Sequence, residues 1–236
     1  MQPFSLHYFP LAWPFLLLLF VFLMIVVGLV ELHVLTAAYE RAGIKPRYIF
    51  MVLLLSLLGS YINIPVAQLP PERMVSNRVV EFFGVRYIVP AARQWPGTVV
   101  AVNVGGALIP TVLSLYLIFK NRMYVRSVIA IFIVALVVNH VARPVRGVGI
   151  SVPIFIPPLV AAGVAMILSW RKAPPLAYIC GSLGTLIGAD LMNFSRLQGL
   201  GAPIASIGGA GTFDGVFLTG IIAVLLPPDV RSSRRP

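Results

Sequence analysis

Seven apolar runs, each near the length needed to cross a lipid bilayer, constrain this chain more than any motif in it. A hydrocarbon core about 30 Å thick takes roughly 20 helical residues at 1.5 Å each. Residues 14–36, 48–66, 98–119, 127–142, 151–169, 174–193 and 204–226 meet or approach that measure. The expected fold is therefore all-α: a polytopic integral membrane bundle of about seven transmembrane helices, some broken or kinked, forming a single domain over residues 1–236. Composition agrees, with 59% hydrophobic residues, 11% charged residues and a mean hydropathy of +0.95, values foreign to soluble domains. The first run reads as a retained helix and not a cleaved signal, because residues 1–14 carry no Lys or Arg and the run is long.

An excess of basic residues in a soluble chain would point to nucleic acid, but here topology accounts for it. Arg41, Lys45, Arg47, Lys120, Arg122, Arg126, Arg171, Lys172, Arg231, Arg234 and Arg235 lie in one alternating set of connections. The other set holds seven: Arg73, Arg78, Arg86, Arg93, Arg143, Arg146 and Arg196. Because Lys and Arg favour the cytoplasmic side, the expectation is a multi-pass protein of the cell inner (plasma) membrane with its N-terminus outside and its C-terminus cytoplasmic. The tail "RSSRRP" then reads as an anchor on anionic lipid, with no nucleic-acid partner.

On this topology the polar residues inside the spans gather toward the outside. Asn63, Asn139, His140, Asp190 and Asn193 end outbound spans, while Asn103 and Asp214 begin inbound ones. Glu31 and His33, at the inner end of span one, read as a snorkelling interfacial pair. Asparagines in a bundle commonly serve interhelical hydrogen bonds worth about 1 kcal/mol each. A carboxylate at mid-membrane costs a few kcal/mol and is expected to face a cavity or a partner. Asp190 and Asp214 are thus the candidate catalytic or ion-binding pair. If they face one another, one proton is shared between them, as an acid and base pair requires.

Half of the chain's 20 glycines fall between 181 and 220. Gly181, Gly184 and Gly188 form a smooth face on span six, and Gly208, Gly211, Gly215 and Thr219 form another on span seven. In regular helix Asp190 points about 180° from the first stripe and Asp214 about 100° from the second. The run "GGAGTFDG", including Gly209, Gly211 and Gly215, reads alternatively as a helix break that exposes backbone groups to a cavity. Pro110 is expected to interrupt span three, and Pro153, Pro157 and Pro158 fall in span five. The pieces "ALIPT" and "IFIPP" on inbound spans hint at an internal repeat.

The runs "GSLGTLIGADLMNF" and "GAPIASIGGAGTFDGVFLTGIIAVLL", with "NVGGALIP" and "VPIFIPPLVAA" upstream, resemble the bacterial and archaeal membrane-protein family called domain of unknown function sixteen-fourteen. That name implies a membrane protein and no activity. An Asp on one helix and a Gly-flanked Asp on the next also resembles the presenilin and signal-peptide-peptidase group of intramembrane aspartyl proteases, which implies that Asp190 and Asp214 are catalytic. The GxGD signature of that group is absent from "IGAD" and "GTFD", and no further span remains after the one that holds Asp214 to supply its PAL motif.

Two functional classes follow, with a membrane scaffold or assembly factor as a third. In a protease-like hydrolase one aspartate is general base on water and the other polarises a scissile carbonyl of a membrane peptide. In a transporter or channel the same acids bind a proton or cation while a small polar solute meets Asn63, Asn103, Asn139, His140, Asn193, Gly209, Gly211 and Gly215. No nucleotide motif suggests an ATP-driven machine. "CGSLG" lacks the GxSxG spacing of a serine nucleophile. Three His without HExxH or CxxC leave no zinc signature, and no cofactor is expected. Residues 67–97 are too polar to span, with Val79, Val80, Phe82, Phe83, Val85 and Ile88 interleaved with charges. They read as an external amphipathic or re-entrant segment over the polar layer.

Overall fold

The computed structural model describes residues 13–82, 85–95, 97–145, 149–197, 202–209 and 215–228. Contacts divide the chain into two units, Met1–Ala37 and Ala38–Pro236. The described part of the first is a stretch of α1 (Trp13–Ala42), whose apolar side chains from Leu17 to Val34 are exposed on every face. A helix apolar all round suits lipid and not water. Glu31 and His33 are exposed there as well.

The second unit is built around α6 (Ala173–Thr185), in which every residue but Leu183 is buried. It is surrounded by α3 (Ile109–Asn121), α4 (Tyr124–Val141), α5 (Ile156–Leu168) and α7 (Gly215–Leu225). Small residues permit that crowding. A Cβ at Gly184 would come within 2.7 Å of the Val134 side chain, and one at Gly188 within 2.4 Å of the Ala135 carbonyl, so the expected glycine face is where α4 approaches. The opposite face of α4 leaves Val125, Val128, Phe132 and Leu136 exposed. Several prolines begin helices. Pro46 opens α2 (Pro46–Gly59), Pro157 and Pro158 lie in the first turn of α5, and Pro174 in that of α6, where the missing N–H forfeits no helical hydrogen bond. Pro110 differs: it lies inside the helical stretch Val104–Asn121, directly after a change to π geometry at Val104–Leu108.

Every apolar run contains a helix, yet the expectation of an all-α bundle needs correction. Among the described residues three helices are long and apolar enough to cross a membrane: Leu16–Ala42, Val104–Asn121 and Tyr124–Val141. The apolar helices Pro46–Gly59, Ile156–Leu168 and Gly215–Leu225 are shorter, partly because strands take over at their ends. β1 (Asn63–Gln68) follows α2, β4 (Val99–Asn103) leads toward α3, and β7 (Ile204–Ile207) precedes α7. They form one sheet in the order β1-β4-β7. β1 runs antiparallel to β4, with Asn63 opposite Asn103, and β4 runs parallel to β7, from Val99 opposite Ile204 to Val102 opposite Ile207. Runs such as "VVAV" are β-branched and read equally as strand or buried helix, which is why periodicity alone misassigns them.

The 67–97 segment holds a hairpin of β2 (Glu72–Phe82) and β3 (Val85–Trp95), paired from Glu72 opposite Trp95 to Phe82 opposite Val85. A smaller pair, β5 (Arg143–Val145) and β6 (Gly149–Ser151), joins α4 to α5.

The end of the second unit remote from the β1-β4-β7 sheet is fastened by cations on backbone carbonyls. Arg41 donates to the carbonyls of Leu225, at 2.8 Å, and Pro227, satisfying acceptors that the C-terminus of α7 leaves free. Lys120 donates to Gly43, Lys172 to Asn121 at 3.0 Å, and Arg126 to the Ser169 hydroxyl at 3.2 Å. The basic connections expected on one side of a membrane therefore share one end of the bundle. Arg231, Arg234 and Arg235 lie outside the described residues.

Candidate functional site

At the sheet end, two π turns carry the polar residues. Val104–Leu108 joins β4 to α3, and Leu186–Leu191 prolongs α6. The widened i to i+5 register is visible in Ile109 N–H donating to Val104 and Met192 N–H donating to Ile187 at 2.9 Å.

Asn103 caps the first of these turns. Fully buried, it accepts from Gly106 N–H at 2.7 Å and donates to the Ser60 carbonyl at 2.8 Å and to Asn63 Oδ1 at 3.1 Å. Asn63 Oδ1 also faces the Ser206 hydroxyl at 2.7 Å, and that hydroxyl lies 2.6 Å from the Gly209 carbonyl. One chain of polar contacts thus ties β1, β4 and β7 together. The strands come close because Gly106 and Gly208 are glycines: a Cβ on Gly106 would lie 1.9 Å from the Gly208 carbonyl. Gly208 and Gly209 have φ of 84° and 85°, a region other residues rarely enter. They end β7, so Gly208 belongs to no helical stripe, and the expected break in "GGAGTFDG" falls here.

A second group surrounds the other π turn. Asn193, fully buried, donates to Gly188 at 2.8 Å and to Ala189 at 3.1 Å, and accepts from Arg196 at 2.9 Å. Asn139 of α4 reaches the same Gly188 carbonyl at 3.3 Å. The π register loosens this carbonyl from the helix ladder, and two side-chain amides serve it. Asp190 links the two groups, since its Oδ2 accepts from Gly208 N–H at 2.7 Å. His140 is exposed at the end of α4.

Asp190 also borders a cavity of about 540 Å³ between α5, α6, α7 and β7. Its walls are largely apolar, with Ile154, Pro157, Leu197 and Val216 among them, and its polar lining includes Thr185, Ser206 and Thr219. Of the described candidates from the sequence, Asp190, Gly209 and Gly215 line it, whereas Asn63, Asn103, Asn139 and Asn193 hold the frame around it. Asp214 and Gly211 lie outside the described residues. Thr185 and Ser206 escaped notice in the sequence because hydroxyls are common in apolar helices and strands. Their place with Asp190 on the wall of one cavity appears only once the π turn and the sheet register are known.

Fold and site together define a predominantly helical protein, with helices of membrane-crossing length and a strand-framed polar layer bordering a cavity. The chain belongs to the DUF1614 family, proteins of unknown function, whose family model matches residues 57–226. That range takes in every strand and the helices from α3 to α7. No curated protein and no solved structure matches the chain, and the likeness to intramembrane aspartyl proteases gains no support from these comparisons.

Proposed function

We propose that this protein is a carrier of the cell inner membrane in which Asp190, together with Asp214, binds a proton or cation and couples it to a small solute in the cavity. The observation that carries this reading is Asp190 on the wall of a 540 Å³ cavity, on the π turn that prolongs α6 and beside β7, the strand that precedes α7. The volume suits a small-molecule site. Interrupted helices around an intramembrane carboxylate are the means by which carriers offer backbone groups to ions and solutes. Asp214 immediately precedes Gly215, which lines the same cavity. In this reading the shorter helices complete seven passes with the strands at their ends, the basic end faces the cytoplasm, and the hairpin of 67–97 lies outside.

The test uses purified protein in liposomes adsorbed on a solid-supported membrane, given an acid jump. Wild type should displace charge, and Asp190→Asn should abolish the signal at equal protein density. An undiminished signal in Asp190→Asn overturns the proposal. Cleavage of a membrane peptide that requires both aspartates would transfer the pair to the hydrolase reading.

A further inference from the structure

Along α6 the buried hydroxyls of Tyr178, Ser182 and Thr185 recur at i, i+4 and i+7. At 100° per residue these positions fall within about 60° of one another. Tyr178 is 2% exposed, Ser182 1% and Thr185 3%. The Thr185 hydroxyl closes no hydrogen bond among the described residues, whereas the phenol of Tyr178 lies close enough to both Tyr39 and Ser182 for hydrogen bonding. Room for this hydroxyl face comes from Gly220 of α7, where a Cβ would sit 2.4 Å from Ser182 Oγ and 3.3 Å from the Tyr178 ring.

Both ends of the face lead somewhere. Thr185 lines the cavity, as does Asp190. In a regular helix Asp190, five residues on, would be turned about 140° from Thr185. The π turn Leu186–Leu191 changes that register, and both residues line the same cavity. At the other end Tyr178 meets Tyr39, with ring centroids 6.0 Å apart. Tyr39 is 1% exposed, neighbours Ser56, and stands two residues before Arg41 at the basic end.

Hydroxyls in an apolar interior are costly unless they are paired, and a row of them leading from a cavity that holds a carboxylate to the opposite end of a bundle is a route for protons through one another and bridging waters. We infer that the Tyr39, Tyr178, Ser182, Thr185 and Asp190 side chains form a proton path between the basic end and the cavity. This rests on the carrier reading and adds the direction from which Asp190 is charged. Other titratable groups on the elements packed against this row are Cys180 on α6 itself, Arg171 and Lys172 on the turn before it, Tyr124, Arg126 and His140 on α4, Tyr116 and Lys120 on α3, Glu40 and Arg41 beside Tyr39 on α1, and Arg47 and Tyr48 on α2.

The experiment follows proton uptake in liposomes sorted by orientation, after an acid jump applied to the basic end or to the sheet end. Ser182→Ala should slow uptake from the basic end by about a hundredfold, the lower range for loss of a positioned proton-transfer group, and leave uptake from the sheet end unchanged. Ser182→Thr should keep the wild-type rate. Melting temperatures of both variants should stay close to wild type, which separates loss of the path from loss of the fold. If Asp190→Asn takes up protons like wild type, the carrier reading fails. If Asp190→Asn is silent while Ser182→Ala keeps wild-type rates from both ends, the path alone fails. It also fails if Ser182→Thr is as slow as Ser182→Ala, because shape and not the hydroxyl would then matter.

Discussion

Asn139 and Asn193, 54 positions apart by their numbers and on different elements, donate to one carbonyl oxygen, that of Gly188, at 3.3 and 2.8 Å. A π turn releases a carbonyl from its ordinary partner, and in an apolar surrounding such a group must be paired. The two amides are the reason the turn beneath Asp190 can persist.

Their shared acceptor predicts a non-additive pair. Asn139→Leu alone should be mild, because Asn193 still serves the carbonyl. Asn193→Leu should cost more, since it also loses the contacts to Ala189 and Arg196. The double variant should lose more than the sum, with a coupling of about 1–3 kcal/mol for the orphaned carbonyl. Denaturation in mild detergent measures the cycle, and strict additivity would show that the shared bond does not hold the turn.

How far this frame was legible in the sequence differs from residue to residue. The apolar runs located every helix because apolar length is nearly independent of neighbours. The common end of the basic connections was legible for the same reason, and Arg41, Lys120, Lys172 and Arg126 meet it with carbonyl and hydroxyl contacts. Strands β4 and β7 were not, since "VVAV" and "IASI" are apolar in either geometry and their pairing joins residues about a hundred positions apart. Asn63 and Asn103 were visible as polar residues at span ends, but their service to Ser60, Gly106 and Ser206 depends on that pairing. That Thr185 and Asp190 line one cavity was hidden by the assumption of 3.6 residues per turn through Gly188.

Gly188 and Gly163 offer a matched test of packing on neighbouring helices. A Cβ at Gly188 would stand 2.4 Å from the Ala135 carbonyl oxygen and 2.9 Å from its Cα, whereas one at Gly163 meets nothing within 4 Å. Gly188→Ala must push backbone against backbone and should destabilise by about 1–3 kcal/mol, the usual cost of overpacking. Gly163→Ala should be neutral or gain up to about 1 kcal/mol from helix propensity. Thermal shift of the purified variants in detergent separates them, and equal losses would refute the close approach of α4 to α6.

The shared basic end predicts the outcome of topology reporters. A reporter that is active only in the periplasm should be silent when fused after Asn121 or after Pro236, and active when inserted between Phe82 and Val85 in the hairpin. All three results follow from placing Arg41, Lys120, Arg126 and Lys172 on the cytoplasmic side. Activity after Asn121 would invert the bundle and turn the cavity toward the cytoplasm.

Substitutions of Asp190 separate its charge from its place in the frame. Its Oδ2 accepts from Gly208 N–H, and an asparagine oxygen can accept the same bond. Asp190→Asn therefore keeps the link between α6 and β7 while removing the negative charge and, in the carrier reading, lowering the cost of burial in the membrane. Protein abundance and melting temperature should stay near wild type as the acid-driven charge displacement disappears. Asp190→Leu removes both features and leaves Gly208 N–H without this acceptor, a loss of about 1–3 kcal/mol. It should fall in abundance as well as in function. Asp214→Asn should follow Asp190→Asn if the two acids share one proton. Should Asp190→Asn lose abundance as severely as Asp190→Leu, the carboxylate would be a structural clamp on β7 and the carrier reading would lose its central residue.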